Sequence, residues 1–309
     1  GKMYEYGFEL THRQILREWL SRYTLYSESV QFQRETDADG ATHISFGRFF
    51  EKLPVDERNF LQFVGKGTRP NQLFLRECID RNVDRFREPY QWFKDTLTII
   101  EPSSRYNPLE VRINKDKEFQ EFFGRVLSSA DTGIASVTTE EIDIESLDLP
   151  DSVYRTVQEI LSKGSSAYIS TPTGARFGFV KEGDNVRILK LTTYHHAAGL
   201  GTGAAFEIYE ESDGTQRLID LIPALYDLVS GNGSRVFVVD EIDRSLHPML
   251  ARMIVRSHLE AHKDARESQL IFTTHETALL DLNLLRRDEI WFVEKGPHGG
   301  TDLYSLSEF

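Results

Sequence analysis

One cysteine in 309 residues, Cys78, has no partner for an internal disulfide, so a reducing cytoplasm is the expected home. No stretch is long and apolar enough to cross a bilayer and no signal peptide is visible, so no membrane partner is expected. Basic charge is in short supply. The 36 Lys and Arg face 49 Asp and Glu, a net charge of −13, and no block of Lys or Arg stands out. That excludes non-specific nucleic-acid binding by the whole surface and leaves DNA only a local basic patch. Internal repeats, low-complexity tracts and sustained heptads are also missing, which excludes solenoids and long coiled coils.

What is present is the composition of a soluble globular protein, 39% hydrophobic and 28% charged, with enough length for one large domain or two ordinary ones. The chain opens inside a strand-like alternation of Tyr4, Tyr6, Phe8 and Leu10 and stops at "LYSLSEF" without a tail, so it reads as a segment of a longer protein.

Residues 1–50 read as antiparallel strands. "VQFQRETDADGATHISF" alternates, turns at Asp39-Gly40 and alternates again, and periodicity leaves "RQILREWLSRYTLY" open between helix and strand. Residues 51–165 read as a compact helical insertion. Leu75, Ile79, Val83 and Phe86 share a helical face, and "KEFQEFFGRVLSSA" and "DSVYRTVQEILSK" add two helices around an acidic, solvated loop, "TTEEIDIESLDLPD". From 167 a strand meander returns with a turn at Gly183-Asp184, followed by a flexible "HHAAGLGTGAA". Residues 215–294 then alternate helix (215–229, 247–261, 277–286) with buried strand (236–240, 270–274, 289–294), the pattern of a parallel sheet covered on both faces.

Three features converge on the carboxyl edge of such a sheet, where ligands bind in open α/β folds. Asp240-Glu241 leaves the strand "VFVVD", His275 leaves "LIFTTH", and "ESDGTQRLIDLIPAL" opens a helix with Leu218, Leu221, Ile222 and Leu225 on one face. Each has an ordinary structural reading: an N-cap for Asp240, a strand-end histidine, a cap-and-turn for "SDGT". Taken together they suit a metal–triphosphate site. One carboxylate on a rigid strand end, Asp240, suits Mg²⁺. Glu241 can orient or deprotonate a water, His275 can sense a γ-phosphate from the next strand, and Ser212-Asp213-Gly214 offers N–H groups to an anion.

These residues resemble the ABC-type (SMC/RecF/OLD-like) AAA ATPases of prokaryotic anti-phage defence loci, the RloA- and AriA-like group. "VFVVDEID" resembles a Walker B strand with its catalytic glutamate, "SLHP" a D-loop, "ESDGTQRL" a diverged signature and "FTTHET" a histidine switch, with "TRPNQLFL" and "DEIWFVEK" in support. The resemblance implies an α/β ABC-ATPase head: a P-loop-NTPase-like parallel sheet plus an antiparallel β subdomain (1–50), a helical insertion (51–165) and a signature, Walker B, D-loop and switch lobe (166–309). It implies ATP and Mg²⁺ as cofactors, ATP sandwiched between two self-associating heads, and control of a separate effector, a nuclease or toxin. Asp240 would hold Mg²⁺ through water, Glu241 would be the base, His275 would contact the γ-phosphate, Ser212, Gly214 and Gln216 would touch the partner head's nucleotide, and Ser245 is a further nucleotide-binding residue.

Two departures stand out. Asp213 occupies the place of a signature glycine. No GxxxxGK[ST] is present: "FVGKGT" has Gly67 after Gly65-Lys66 and Phe60 in place of the first glycine, and does not follow a buried strand. In the resembled family the P-loop precedes the strands with which this chain begins, so the phosphate cradle is expected upstream, the sheet is expected to have an unfilled position beside 236–240 or 270–274, and this chain alone is expected to be inactive. The alternatives are a non-hydrolysing nucleotide-binding scaffold and a TOPRIM-like metal-dependent nuclease using Asp240, Glu241 and Asp243. The latter would need a further Glu strand and a DxD strand that the sequence does not offer. His195-His196 lacks a Cys or carboxylate at ligand spacing and reads as loop.

Overall fold

The computed structural model describes residues 2–37, 39–143, 147, 149–183, 185–195, 203–230, 234–261 and 268–309. The chain forms two compact units, Gly1–Leu97 and Thr98–Phe309. Among the described residues no helix is long and apolar enough to cross a membrane.

The first unit begins with an antiparallel sheet in chain order: β1 (Met3–Leu10), β2 (Ile15–Tyr23), β3 (Glu28–Thr36) and β4 (Thr42–Phe46). "RQILREWLSRYTLY" is thus strand. The turn between β3 and β4 falls where Asp-Gly predicts it, with Gly40 at φ 82° and the Asp37 carboxylate accepting the N–H groups of Asp39 and Ala41. Three short helices follow, α1 (Val55–Gly67), α2 (Phe74–Asp80) and α3 (Arg87–Gln91). The single helical face expected from Leu75 to Phe86 is interrupted. Asn82, at φ 60°, ends α2 with its N–H on the Ile79 carbonyl and the Val83 N–H on that of Cys78, the double closure that a left-handed cap permits. Phe32, Phe74 and Phe86 meet beneath, ring centroids 4.9–6.1 Å apart. "FVGKGT" lies in α1 and the residue that follows it, and Gly65 is small because a Cβ there would stand 2.5 Å from Ile44 Cγ2.

The second unit takes β5 (Leu97–Ile100), α4 (Leu109–Lys115), α5 (Lys117–Ser129), β6 (Ile134–Ile142) and α6 (Asp151–Lys163) from the segment expected to be helical. The two helices around the acidic stretch form as expected. Part of that stretch, residues 138–142, is strand instead of loop. Thr138, Thr139 and Ile142 suit a pleated surface, while Glu140 accepts from the Tyr194 hydroxyl and Glu141 pairs with Arg187. Residues 144–146 and 148 lie outside the described residues. The meander supplies β7 (Ser166–Ser170), β8 (Arg176–Glu182), β9 (Asn185–His195) and β10 (Ala204–Glu207); β9 pairs with β6, β8 and β10. Gly183 is at φ 63° as its turn requires; its neighbour Asp184, and 196–202 of the glycine-rich stretch, are not among the described residues.

The remainder comprises α7 (Asp213–Ser230), β11 (Val236–Val239), α8 (Pro248–Ala261), β12 (Gln269–Phe272), β13 (Trp291–Lys295) and β14 (Thr301–Ser305). β11 and β12 form a parallel pair of the expected kind, and β5 completes their sheet in the order β12-β11-β5. The strand expected at 289–294 pairs antiparallel with β14 in a sheet of its own. The helix expected at 277–286 is a single 3-10 turn, Thr277–Leu279: Glu276 caps it, and the Asp281 carboxylate takes the Asn283 N–H, a local turn that competes with helix. α7 is buried around nearly its whole circumference between α5 and α8, its expected apolar face included.

Candidate functional site

The site grows from the carboxyl ends of β11 and β12. Four consecutive apolar residues, Val236 to Val239, make a strand that sits mid-sheet, and the chain emerges at Asp240 with its direction fixed. The Asp240 N–H donates to the Ile100 carbonyl (2.9 Å) at the end of β5, and Thr273, just past β12, donates its hydroxyl to Asp240 Oδ1 (2.6 Å). The same hydroxyl accepts the Glu241 N–H (2.8 Å). Glu241 occupies the left-handed region at φ 48°, a conformation that costs a residue with a Cβ about 1–2 kcal/mol. Strain of that kind directly after a mid-sheet strand is typical of a side chain being aimed.

The aim is toward His275 and Arg244. His275 Nε2 stands 4.0 Å from Glu241 Oε1, and Arg244 Nη1 3.9 Å from Glu241 Oε2. Asp240 and His275 are exposed and Glu241 half-buried, so a ligand could reach all three. Among the described residues Thr273 alone bonds the Asp240 carboxylate, leaving lone pairs for a cation. One such oxygen fits Mg²⁺, which keeps waters and shares ligands with phosphates. Asp243 is turned instead to the Thr274 hydroxyl (2.5 Å). Among the described residues no group of three His, Cys, Asp or Glu is placed to hold a metal ion.

The first turn of α7 comes to the same loop. Ser212 accepts the Thr215 N–H at its hydroxyl (3.2 Å), the ordinary N-cap role, and Gln216 Nε2 bonds the Glu211 carbonyl (2.8 Å). Asp213 is exposed. Gly214 packs on the D-loop-like segment of its own chain: a Cβ there would lie 2.6 Å from the Ser245 carbonyl oxygen. Ser245 is exposed and left-handed, at φ 60°. The structure therefore brings Gly214 and Ser245 together, and separately joins Asp240, Glu241 and His275.

Sequence reasoning missed four residues here. Thr273 and Thr274 hold the two aspartates, and the doubled threonine before His275 was their only signal. Arg217 is 5% exposed on α7, with guanidinium bonds to the Glu101 and Asp240 carbonyls (3.2 and 3.4 Å). Burial pulls its pKa below the ordinary value; Arg244 and Arg105 act in the same sense, and Asp220 and Glu241 oppose. With Arg244 it supplies the positive charge that an acidic strand end requires. A second correction concerns His195. Its Nε2 meets Glu211 at 2.7 Å, a carboxylate partner 16 residues away that no local spacing could reveal. His196 lies outside the described residues.

Residues 1–281 match a family model described as "AAA domain, putative AbiEii toxin, Type IV TA system". Solved structures similar to the chain include SMC heads. The SmcHead bound to the C-winged helix domain of ScpA is 13% identical, with a TM-score of 0.45 over 94% of this chain and 75% of that one. The SMC head domain from Thermotoga maritima is 14% identical, with a TM-score of 0.34 over 94% and 73%. The Smc head with an extended coiled coil bound to the C-terminal domain of ScpA derived from Pyrococcus furiosus is 11% identical, with a TM-score of 0.35 over 95% and 78%. No curated protein matches in sequence.

Proposed function

Since the chain belongs to this AAA-domain family, we propose that it is the catalytic lobe of an ABC-type ATPase head that works as a nucleotide-driven switch in a prokaryotic defence system. The observation that carries this reading is the meeting of Glu241 and His275, 4.0 Å apart, beside an open Asp240 carboxylate at the ends of two parallel strands. Asp240 would hold Mg²⁺, Glu241 would draw the proton from the attacking water, and His275 would donate to the γ-phosphate side. ATP with Mg²⁺ supplies the phosphoanhydride and the charge neutralisation. Ser212, Gly214 and Gln216 would touch the nucleotide of a second head, with Ser245 a further nucleotide-binding residue. The toxin–antitoxin system named in the family description is in keeping with a defence role; the separate effector, a toxin or nuclease, and the cytoplasmic location belong to this proposal.

The phosphate cradle, on this reading, comes from outside residues 1–309. Its strand would lie along β12, which among the described residues has β11 as its one sheet neighbour and leaves Ile271 55% exposed. Residues 1–309 alone would then bind ATP weakly.

Glu241→Gln in the complete protein tests the assignment. It keeps the shape of the side chain and removes the base, so ATP binding is expected to persist while phosphate release falls about 10²–10⁴-fold. Undiminished release would remove Glu241 from the mechanism.

A further inference from the structure

A single peptide plane sets where Glu241 points. The Asp240–Glu241 peptide is held from both ends: its N–H donates to Thr273 Oγ1 (2.8 Å), and its C=O accepts from Arg217 Nη2 (3.4 Å). Rotation of that plane is what changes φ at Glu241, which stands at 48°. Few other forces in this loop act on the plane, because the Asp240 N–H belongs to the preceding peptide, bonded to Ile100.

Arg217 is unusual for a buried guanidinium. Among the described residues it makes no ion pair within 4.0 Å, and its Nε has no hydrogen-bond partner. The nearest acid on its own helix, Asp220, is already taken by Arg176 (2.7 and 3.0 Å), Arg105 (3.0 Å) and the Tyr106 N–H (3.0 Å). A cation whose job was stability alone would be better served by a carboxylate. Arg217 instead spends two donors on the carbonyls of Glu101 and Asp240, the residues that leave the adjacent strands β5 and β11. It does so from the second turn of α7, directly behind Ser212–Gln216.

We propose that Arg217 is a positioning residue: it holds the Asp240–Glu241 peptide so that Glu241 keeps its left-handed backbone, and it thereby ties the orientation of the base to the placement of α7. The proposal rests on Glu241 being the base. A displacement of α7 pulls the Asp240 carbonyl with it, turns the peptide and withdraws the Glu241 carboxylate from His275. Contact made at the start of α7 would in this way be felt at the catalytic carboxylate through one side chain, without any rearrangement of the sheet.

The test uses Arg217→Met and Arg217→Lys in the complete protein, read by hydrogen exchange over residues 237–243, by thermal melting, and by kcat and KM for ATP. Arg217→Met is expected to speed exchange at the Glu241 amide and lower kcat at least about tenfold, with KM and cooperative melting kept. Arg217→Lys, able to reach one carbonyl, should fall between it and the parent. A merely structural arginine would lower melting and nucleotide affinity together and leave no kcat-against-KM split. Unchanged exchange, or faster exchange with parental kcat, overturns the proposal. Should Arg217→Met fail to fold, parental exchange and kcat in Arg217→Lys overturn it as well. If Glu241→Gln still hydrolyses ATP, the assignment of the base has failed. If Glu241→Gln is dead and Arg217→Met fully active, only the present proposal has.

Discussion

The carboxylate of Glu18, in the first unit, has no exposed surface and accepts four hydrogen bonds, from Tyr6, Arg34 and the N–H groups of Phe74 and Leu75. The carboxylate of Asp240, in the second, is exposed and among the described residues accepts one, from Thr273. Both belong to strands or strand ends and both sit beside an arginine that also bonds backbone carbonyls: Arg34 those of Arg69 and Gln72, Arg217 those of Glu101 and Asp240. The difference is in what is left over. Glu18 has its lone pairs committed, two of them to the start of α2, and can do nothing but hold the first unit together. Asp240 keeps most of its coordination capacity on a rigid support, next to a residue in a strained conformation. Charge that is fully consumed by its own protein is architecture, and charge held open beside strain is available to a ligand.

The largest effect that would break this comparison lies at Glu18. Glu18→Ala leaves Arg34 buried without a carboxylate and strips α2 of its cap, and loss of one partner of a buried pair costs about 3–5 kcal/mol. Cys78, the sole cysteine, is buried in the same core, and burial together with Glu18 and Glu77 pushes its thiol well above the ordinary range. Its labelling by a thiol reagent therefore reports opening of the first unit. The rate is expected to rise at least ~10²-fold in Glu18→Ala, at tenfold per about 1.4 kcal/mol. A rise of less than about fivefold would show that the pair is dispensable and that the contrast with Asp240 is one of exposure only.

Gly214 sharpens the comparison from the other side. A sequence reading assigns this glycine to close approach by a partner's nucleotide, yet its own chain already requires it small, since a Cβ would lie 2.6 Å from the Ser245 carbonyl oxygen. Gly214→Ala is expected to lower the stability of the second unit by about 1–3 kcal/mol, as overpacking does, seen as a lower melting temperature without nucleotide. An undisturbed melt with lost ATP-dependent association would assign the glycine to the partner alone.

Much of the site was legible because its signals are local. An apolar run into Asp240-Glu241, a histidine after "LIFTT" and a capped apolar helix each declare themselves within ten residues, and β11, β12 and α7 form where those signals place them. What escaped depends on contacts distant in sequence. β5, four residues long, becomes a strand by lying beside β11, and the acidic 138–142 does so by pairing with β9. Arg217 read as one polar residue near the apolar face of a helix, because its partners are carbonyls 23 and 116 residues away. The strand at Trp291–Lys295 was found, but its partner was not: alternation fixes a strand and says nothing about whether the neighbour is parallel or antiparallel.

The smallest expected effect concerns an acid that fits neither side of the comparison. Glu110, on α4, is 1% exposed like Glu18, yet neither of its carboxylate oxygens has a hydrogen-bond partner. Burial raises its pKa above the ordinary glutamate value; its own backbone N–H and, after it, Arg176, which is already engaged by Asp220, oppose this, and the Asp220 charge adds to the rise. An acid whose pKa is higher folded than unfolded gives its full stability below the unfolded value, near ~4.3, and loses it as pH climbs through the folded value. The parent protein should therefore lose stability from that source between mildly acidic and neutral pH. Glu110→Gln cannot titrate, so its melting temperature relative to the parent should be lowest below pH ~4.3 and rise as the pH climbs above it. Melting curves of the two proteins across that range decide the matter. A difference independent of pH would mean that the Glu110 carboxyl titrates as it does in the unfolded chain, and so has partners in solution that its buried position does not show.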